Sequence, residues 1–413
     1  MLKKIEVHFL REGMYIQELC SSWMDTPFWK KSFLLDDLTI LEKIKLTGIK
    51  EVWIDISKGS DVAEEVVVEQ IAAEIVSAPQ SQKYPLAAFD KIIQVSMEAE
   101  ISRAASIVDE SKKAVFSMFN EARMGNAIDA DNAMSLVEEI AGSVMRNPGA
   151  LIGLARLKTA TDYTYMHCVA VCALMIALSR KLGLDDDKTR EAGLAGLLHD
   201  IGKLAIPVEI LNKPGKLTDA EFMLMKEHSV AGHKMLLDAK GVGEISLDVC
   251  LHHHEKMDGS GYPNRLSGDE ISLFAKMGAV CDVYDAITSN RPYRQGWCPA
   301  ESLGKMSEWS KGHFDPVVFQ AFIKSIGIYP VGTLVRLQSG RLGVVVEQQV
   351  LKSLLMPKVR VFFSSKSLAY ITPELLDLAG PGLQDKIVAR EDASKWGLND
   401  IDRYWLGDVA NGK

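Results

Sequence analysis

The 413-residue chain has little cysteine and no cysteine framework. Cys20, Cys168, Cys172, Cys250, Cys281 and Cys298 form no CxxC pair and no disulfide-like pattern, which points to a reducing cytoplasm. Long apolar runs are missing too. The longest, Cys168–Leu178, reaches eleven residues, too short to span a bilayer, and predicts a buried core helix with no membrane insertion. The basic start, MLKKIEVHFLREG, has no signal-length apolar run behind it. Positive charge is also in deficit, with a net charge of −8, and this argues against a nucleic-acid polymer as partner. A small anionic substrate stays open, because bound metal ions and two or three local Arg or Lys side chains can reverse the potential inside one pocket. No internal repeat is visible.

The length suggests two or three domains, and 47% hydrophobic with 25% charged residues suits a soluble globular protein. Residues 1–60 read as a small α+β unit, with strand-like runs at Met14–Glu18 and Glu51–Ile56 and a helix over Asp37–Leu46 ended by Gly48. Residues 61–129 read as a helical linker with a polar break at Ala78–Pro85. Its long amphipathic stretch, Ala87–Ala122, predicts a connecting helix or a homodimer seam. Residues 130–328 are nearly all helical by period: Asn132–Arg146, Asp162–Leu182, Lys188–Asp200, Thr218–Asp238, Glu244–His254, Ile271–Thr288 and Pro316–Ser325. Residues 329–413 form a small β-rich module, opened by VGTLVRLQSGRLGVVVEQ (strand, Ser-Gly turn, strand) and a further strand at Lys358–Phe363. From about Pro381 the tail carries no chemical signal. The fold class is therefore mainly α, with a small α+β N-terminal domain and a small β-rich C-terminal module.

Histidine is concentrated. Seven of nine lie between His167 and His254, far above an even spread, and histidine is the commonest metal ligand. His199-Asp200 closes an apolar helix, offering a nitrogen donor beside a carboxylate that can bridge two cations. One such pair is weak, but it has company. His167 falls in the preceding helix, His228 in the next, His253-His254 in the one after, and Asp282 in the helix beyond. Buried His and Asp without partners are costly, so mutual coordination is the economical explanation. His228 and His233 stand about 140° apart around one helix, so both cannot aim at one point. His233 and His252 are assigned to packing or supporting roles.

The ordered motifs HDIGK (His199–Lys203), PVEILNKPGKLT, HSVAG, HHEKMDGSGYP and DVYDAITSNRPYR resemble the HD-GYP family of metal-dependent phosphohydrolases over roughly residues 145–328. The resemblance implies an all-helical HD-type catalytic domain and a metal cluster held by His167, His199, Asp200, His228, His253, His254 and Asp282, with Asp200 bridging. It implies that Lys203 supports the reacting phosphate and that Arg291, Arg294, Gly261 and Tyr262 contact substrate. The activity it implies is hydrolysis of cyclic di-GMP to pGpG and onward to GMP. A phosphodiesterase for 3′3′-cyclic GMP-AMP and an inactive cyclic-dinucleotide sensor acting through protein binding are the alternatives, and signalling partners are expected either way. The N-terminal unit resembles the small uncharacterised domain often found ahead of such modules. One position departs from the pattern. Where some members carry a glutamate that helps hold a third metal, this chain has Tyr163, so two metals per chain are expected.

The chemistry suits the residues. Two metals ~3.5–4 Å apart can activate water, relieve phosphoryl charge and stabilise the leaving oxygen. Lys203, one turn past Asp200, can add positive charge, and such a donor is typically worth ~3 kcal/mol. A His/Asp set without thiolate suits Fe or Mn first, with Zn and Ni also able to bind. In the DGSGYP loop, Gly259 and Gly261 mark a sharp turn close to the site and Pro263 fixes its exit.

Overall fold

The computed structural model describes residues 2–7, 10–19, 32–36, 40–41, 44, 49, 51–60, 94–157, 163–289, 296–349, 353–407 and 409. The chain divides into two compact units, Met1–Val76 and Ser77–Lys413.

The first unit is an antiparallel sheet of β1 (Leu2–Glu6), β2 (Tyr15–Leu19), β3 (Phe33–Leu34) and β4 (Glu51–Asp55) in the order β1-β4-β2-β3. Alternation sets its register. Ile5 pairs with Val52, and both bury with Met14, Ile16, Leu35 and Ile54. The helix expected over Asp37–Leu46 lies mostly outside the described residues, which place Ile40, Leu41 and Ile44 in helical conformation.

The second unit opens with α1 (Met97–Arg123), α2 (Ala130–Arg146), α3 (Pro148–Arg156), α4 (Tyr163–Lys181) and α5 (Asp186–Leu198). The apolar stripe of α1, expected as a connector or dimer seam, packs against α2, α3 and α4 of the same chain, burying Ile101, Ala104, Val115 and Phe119. The sequence pattern missed α3, whose nine residues are too few to show a period. Its start is nonetheless chemically marked: Asn147 caps the N-terminus and Pro148 takes the first helical position. Helix α4 is buried all round from Met166 to Ser179, as an apolar helix at the centre of a bundle must be. It is long and apolar enough to cross a membrane, but most of its surface is covered by protein.

A 3-10 turn (Ile201–Ala205), α6 (Val208–Leu211), α7 (Asp219–Leu237), α8 (Glu244–His252), α9 (Leu273–Thr288), α10 (Pro299–His313) and α11 (Pro316–Ile326) complete the helical part. Thr218 and Glu221 form a capping box that starts α7. The 3-10 turn lies so close to α7 that a Cβ at Gly202 would overlap the His228 carbonyl oxygen. This contact sets Asp200 beside His228.

The chain then forms β5 (Leu334–Leu337), β6 (Arg341–Glu347), β7 (Lys358–Ser364), β8 (Ala369–Asp377) and β9 (Ile387–Arg390), an antiparallel sheet in the order β8-β7-β6-β5-β9, followed by α12 (Arg403–Leu406). Leu342, Val344, Phe362 and Trp405 belong to the same core cluster as Ile140, Leu151 and Val169. The β module and the helices therefore share one apolar core. Strand β8 escaped the sequence reading because most of its side chains are exposed at the sheet edge, leaving no in-out alternation to read.

Candidate metal centre

Three helix ends and two helix interiors converge here. His167 comes from the first turns of α4, His199 and Asp200 from the end of α5, His228 from the middle of α7, His253 and His254 from the end of α8, and Asp282 from the middle of α9. His167, His199, Asp200, His228 and His253 are at most 1% exposed and Asp282 is 8% exposed.

Their donor atoms fall into two triads. His167, His199 and Asp282 form one, and His228, His253 and His254 the other, the donor atoms within each lying inside 4.8 Å of one another. Asp200 stands between them. Its Oδ2 is 3.3 Å from Nε2 of both His167 and His199, and its Oδ1 is 3.5 Å from His228 Nε2 and 3.9 Å from His253 Nε2. One carboxylate thus offers one oxygen to each triad.

The backbone fixes which imidazole nitrogen is free. Nδ1 of His199 lies 2.8 Å from the Gly196 carbonyl, Nδ1 of His228 2.6 Å from that of Met225, and Nδ1 of His253 2.9 Å from that of Val249. A carbonyl can only accept, so in each ring Nδ1–H donates and the Nε2 lone pair points into the cluster. His199 Nε2 and Asp200 Oδ1 are buried with no hydrogen-bond partner among the described residues. Orphaned acceptors of that kind cost ~1–3 kcal/mol each, and cations would satisfy both, so the residues fit a metal cluster.

Electrostatics split the histidines. Burial on its own would lower His167, but hydrogen bonds to Asp200, Asp282 and Asp285 outweigh it and push the imidazole up to about 10. His199 is raised in the same sense, with Asp200 overcoming burial. Burial also opposes ionisation of Asp200, yet Lys203 and His199 hold it well below the ordinary carboxylate range. Asp282 is held down likewise by His167 and His199 against burial. In the other triad burial wins. His228 and His253 are lowered, and His254 falls to about 3.

Lys203 Nζ contacts Asp200 Oδ2 directly. Tyr262 stacks on His254 at 4.7 Å between centroids and so lines the edge of the cluster. Gly259 takes φ +75°, which makes the turn, and Gly261 packs where a Cβ would press on the Glu255 backbone. Arg291 and Arg294 lie outside the described residues. His252 bonds Asp248 at 2.7 Å and Asn264 at 3.1 Å, away from the triads, and His233 is half-buried on α7 outside them. Tyr163 stacks nearly parallel on His167 at 5.8 Å.

Two supporting carboxylates escaped the sequence reading. Asp285 Oδ2 accepts from His167 Nδ1 at 2.6 Å. Its spacing from Asp282, three residues on one helix face, was the available signal. Glu255, 2% exposed, accepts from the backbone N–H groups of Asn264 and Leu266 and ties the glycine loop to the histidine pair.

The HD domain family profile matches residues 143–318, and a domain of unknown function (DUF3391) matches residues 2–133. The chain is 55% identical to the cyclic di-GMP phosphodiesterase PA4108 of Pseudomonas aeruginosa, over 98% of this chain and 96% of that one. The chain belongs to the HD-GYP family of HD-domain phosphohydrolases. Other relatives match a smaller share of the chain. The cyclic di-GMP phosphodiesterase response regulator RpfG of Xanthomonas campestris is 36% identical over 41% of this chain and 47% of its own. The 3′3′-cGAMP-specific phosphodiesterase 1 of Vibrio cholerae is 37% identical over 40% of this chain and 38% of its own. As an HD-GYP protein, this chain is a metal-dependent hydrolase.

Proposed function

We propose that this protein hydrolyses cyclic di-GMP to pGpG and onward to GMP, using the cluster built around Asp200. The observation that carries the reading is the placement of the two Asp200 oxygens, one toward each triad. Similarity to PA4108 along nearly the whole chain supports cyclic di-GMP as substrate. The likeness to a 3′3′-cGAMP-specific enzyme covers 40% of this chain.

His167, His199 and Asp282 would hold one divalent cation, and His228, His253 and His254 a second, with Asp200 common to both; Fe or Mn suits this thiolate-free set. Bound there, the cations would supply Lewis acidity and bring the pKa of water toward ~7.

The chain's own residues supply the rest. The buried carbonyls behind His199, His228 and His253 keep those rings from rotating, so the donors are preorganised. Lys203, whose ammonium reaches the edge of the cluster beside Asp200, offsets negative charge on a non-bridging phosphate oxygen. Tyr262, stacked on His254, forms a wall for the nucleotide, and Arg291 and Arg294 take its phosphates. Addition of water to phosphorus breaks one P–O3′ bond, the proton leaves with O3′, and the ring opens to pGpG. A second addition gives GMP. The enzyme works in the cytoplasm, with signalling partners for its N-terminal domain.

Chromatography of products after incubation with cyclic di-GMP and, separately, with 3′3′-cyclic GMP-AMP tests this reading. Faster conversion of cyclic di-GMP supports it. Faster conversion of the mixed dinucleotide replaces the substrate, and binding without turnover would make the protein a sensor.

A further inference from the structure

Behind α9, on the side away from the metal centre, lies a second cavity of about 350 Å³ among the described residues. That is within the range of small-molecule sites. It opens where α3, α4 and α11 meet the β module, and Ile152, Leu174 and Val331 give it apolar walls.

Its polar lining is unbalanced. Arg146 is taken up by Glu100 through two hydrogen bonds, at 2.7 and 2.8 Å, and Lys358 by Glu347 at 2.9 Å. Arg156 is different. Its Nε and Nη2 are buried and have no hydrogen-bond partner among the described residues. One carboxylate close to it, Asp402 Oδ1, stays 3.5 Å from Nη2 and already accepts from Trp405 Nε1 at 2.7 Å. Gln348, on the same wall, donates to the Tyr329 carbonyl and leaves its Oε1 buried without a donor among the described residues. A guanidinium with unused N–H groups and an amide oxygen with no donor are costly in a folded core. A ligand carrying an anion and a hydroxyl would satisfy both.

We propose that this cavity binds a small organic carboxylate, its anion on Arg156, its hydroxyl donating to Gln348 and its apolar body against Ile152, Leu174 and Val331, and that occupancy is felt at the metal centre through Asp285. That aspartate is a shared wall. It lines the cavity on one side, and on the other its Oδ2 holds His167 Nδ1 at 2.6 Å. A carboxylate arriving behind α9 brings negative charge toward Asp285 and shifts the hydrogen bond that orients His167. The coupling rests on the metal-centre reading, whereas the binding site does not. The C-terminal module thereby acquires a role, since Val331 and Gln348 close the cavity.

The probe is 4-hydroxyphenylacetate, with 4-hydroxyphenylacetamide as its neutral counterpart, titrated calorimetrically into the full chain. The acid should bind about tenfold or more tightly than the amide, and Arg156→Gln should remove that advantage. Arg156→Lys should keep part of it. Ile152→Trp, which fills the cavity and spares the guanidinium, should block both ligands, and Asp200→Ala should leave acid binding unchanged. In the wild type, saturating acid should change the rate of cyclic di-GMP hydrolysis about twofold or more, and in Arg156→Gln it should not. Equal binding of acid and amide, or binding that survives both Arg156→Gln and Ile152→Trp, overturns the site. Loss of acid binding in Asp200→Ala overturns it as well, by placing the acid in the metal centre. Binding with an unchanged rate overturns the coupling. Absence of hydrolysis under every condition would refute the proposed function, and the calorimetry would still decide the site.

Discussion

Asp285 Oδ2 lies 2.6 Å from His167 Nδ1, both groups are buried, and the other nitrogen of the same ring sits 3.0 Å from Asp282 Oδ1. One carboxylate therefore orients a histidine whose far side faces a second carboxylate in the cluster.

Asp285→Asn should leave the fold intact and weaken metal binding. Loss of a carboxylate behind a metal-ligating histidine typically costs ~10–100-fold in affinity or activity. Metal titration of apoprotein should show the shift, and excess metal should restore much of the rate. Unchanged affinity would make Asp285 a packing residue.

Metal uptake should release protons. His167 is pushed up to about 10, so near neutral pH it holds a proton that coordination must displace. Affinity should accordingly rise with pH across the neutral range. Calorimetry in buffers of different ionisation enthalpy should find about one proton or more released per chain, and zero would contradict the assignment of His167.

Lys203→Ala should keep its metal, since an ammonium is no ligand, and lose ~10²–10³ in rate. Elemental analysis beside kinetics separates the cases. Loss of metal together with activity would mean that Lys203 builds the site by holding Asp200.

Away from the site, Glu100 is fully buried, with Ser143 at 2.9 Å and the Arg146 fork at 2.7 and 2.8 Å. Burial alone would raise its pKa, but Arg146 and Ser143 outweigh it and lower it. A folded value below the unfolded one means stabilisation that is present above the ordinary glutamate range and lost as pH falls through the folded value. Glu100→Ala should cost about 3 kcal/mol at pH 7, and denaturant melts should show the gap closing on acidification. A gap independent of pH would remove the ion pair from the account.

The candidate metal ligands were legible because chemistry marks them individually: histidines are few in this chain, and an aspartate beside one in an apolar helix has no cheap alternative. Their supports were harder to see. Asp285 resembles any helical aspartate until α4 is known to pack on α9, and the carbonyls of Gly196, Met225 and Val249 have no sequence signature at all. Helix α3 and strands β8 and β9 were lost for related reasons, the first too short for a period and the others too exposed or short for alternation. The Arg156 cavity depends on contacts between α3 and the β module, which no local pattern announces.

Tyr163, parallel to His167 at 5.8 Å, stands four residues before it on α4. A neutral phenol is a poorer ligand for a hard cation than a carboxylate. Anaerobically reconstituted protein should hold about two metals per chain, and Tyr163→Glu should raise the count toward three. Three tightly bound metals in the wild type would contradict this.

The most direct test of the central claim compares wild type and Asp200→Ala for hydrolysis of cyclic di-GMP at saturating metal, with far-UV circular dichroism as the check on folding. Wild type should yield pGpG and then GMP, and the variant should yield neither while its spectrum stays close to wild type. A variant that keeps about a tenth or more of the wild-type rate would contradict a mechanism that depends on a carboxylate shared between two metal sites.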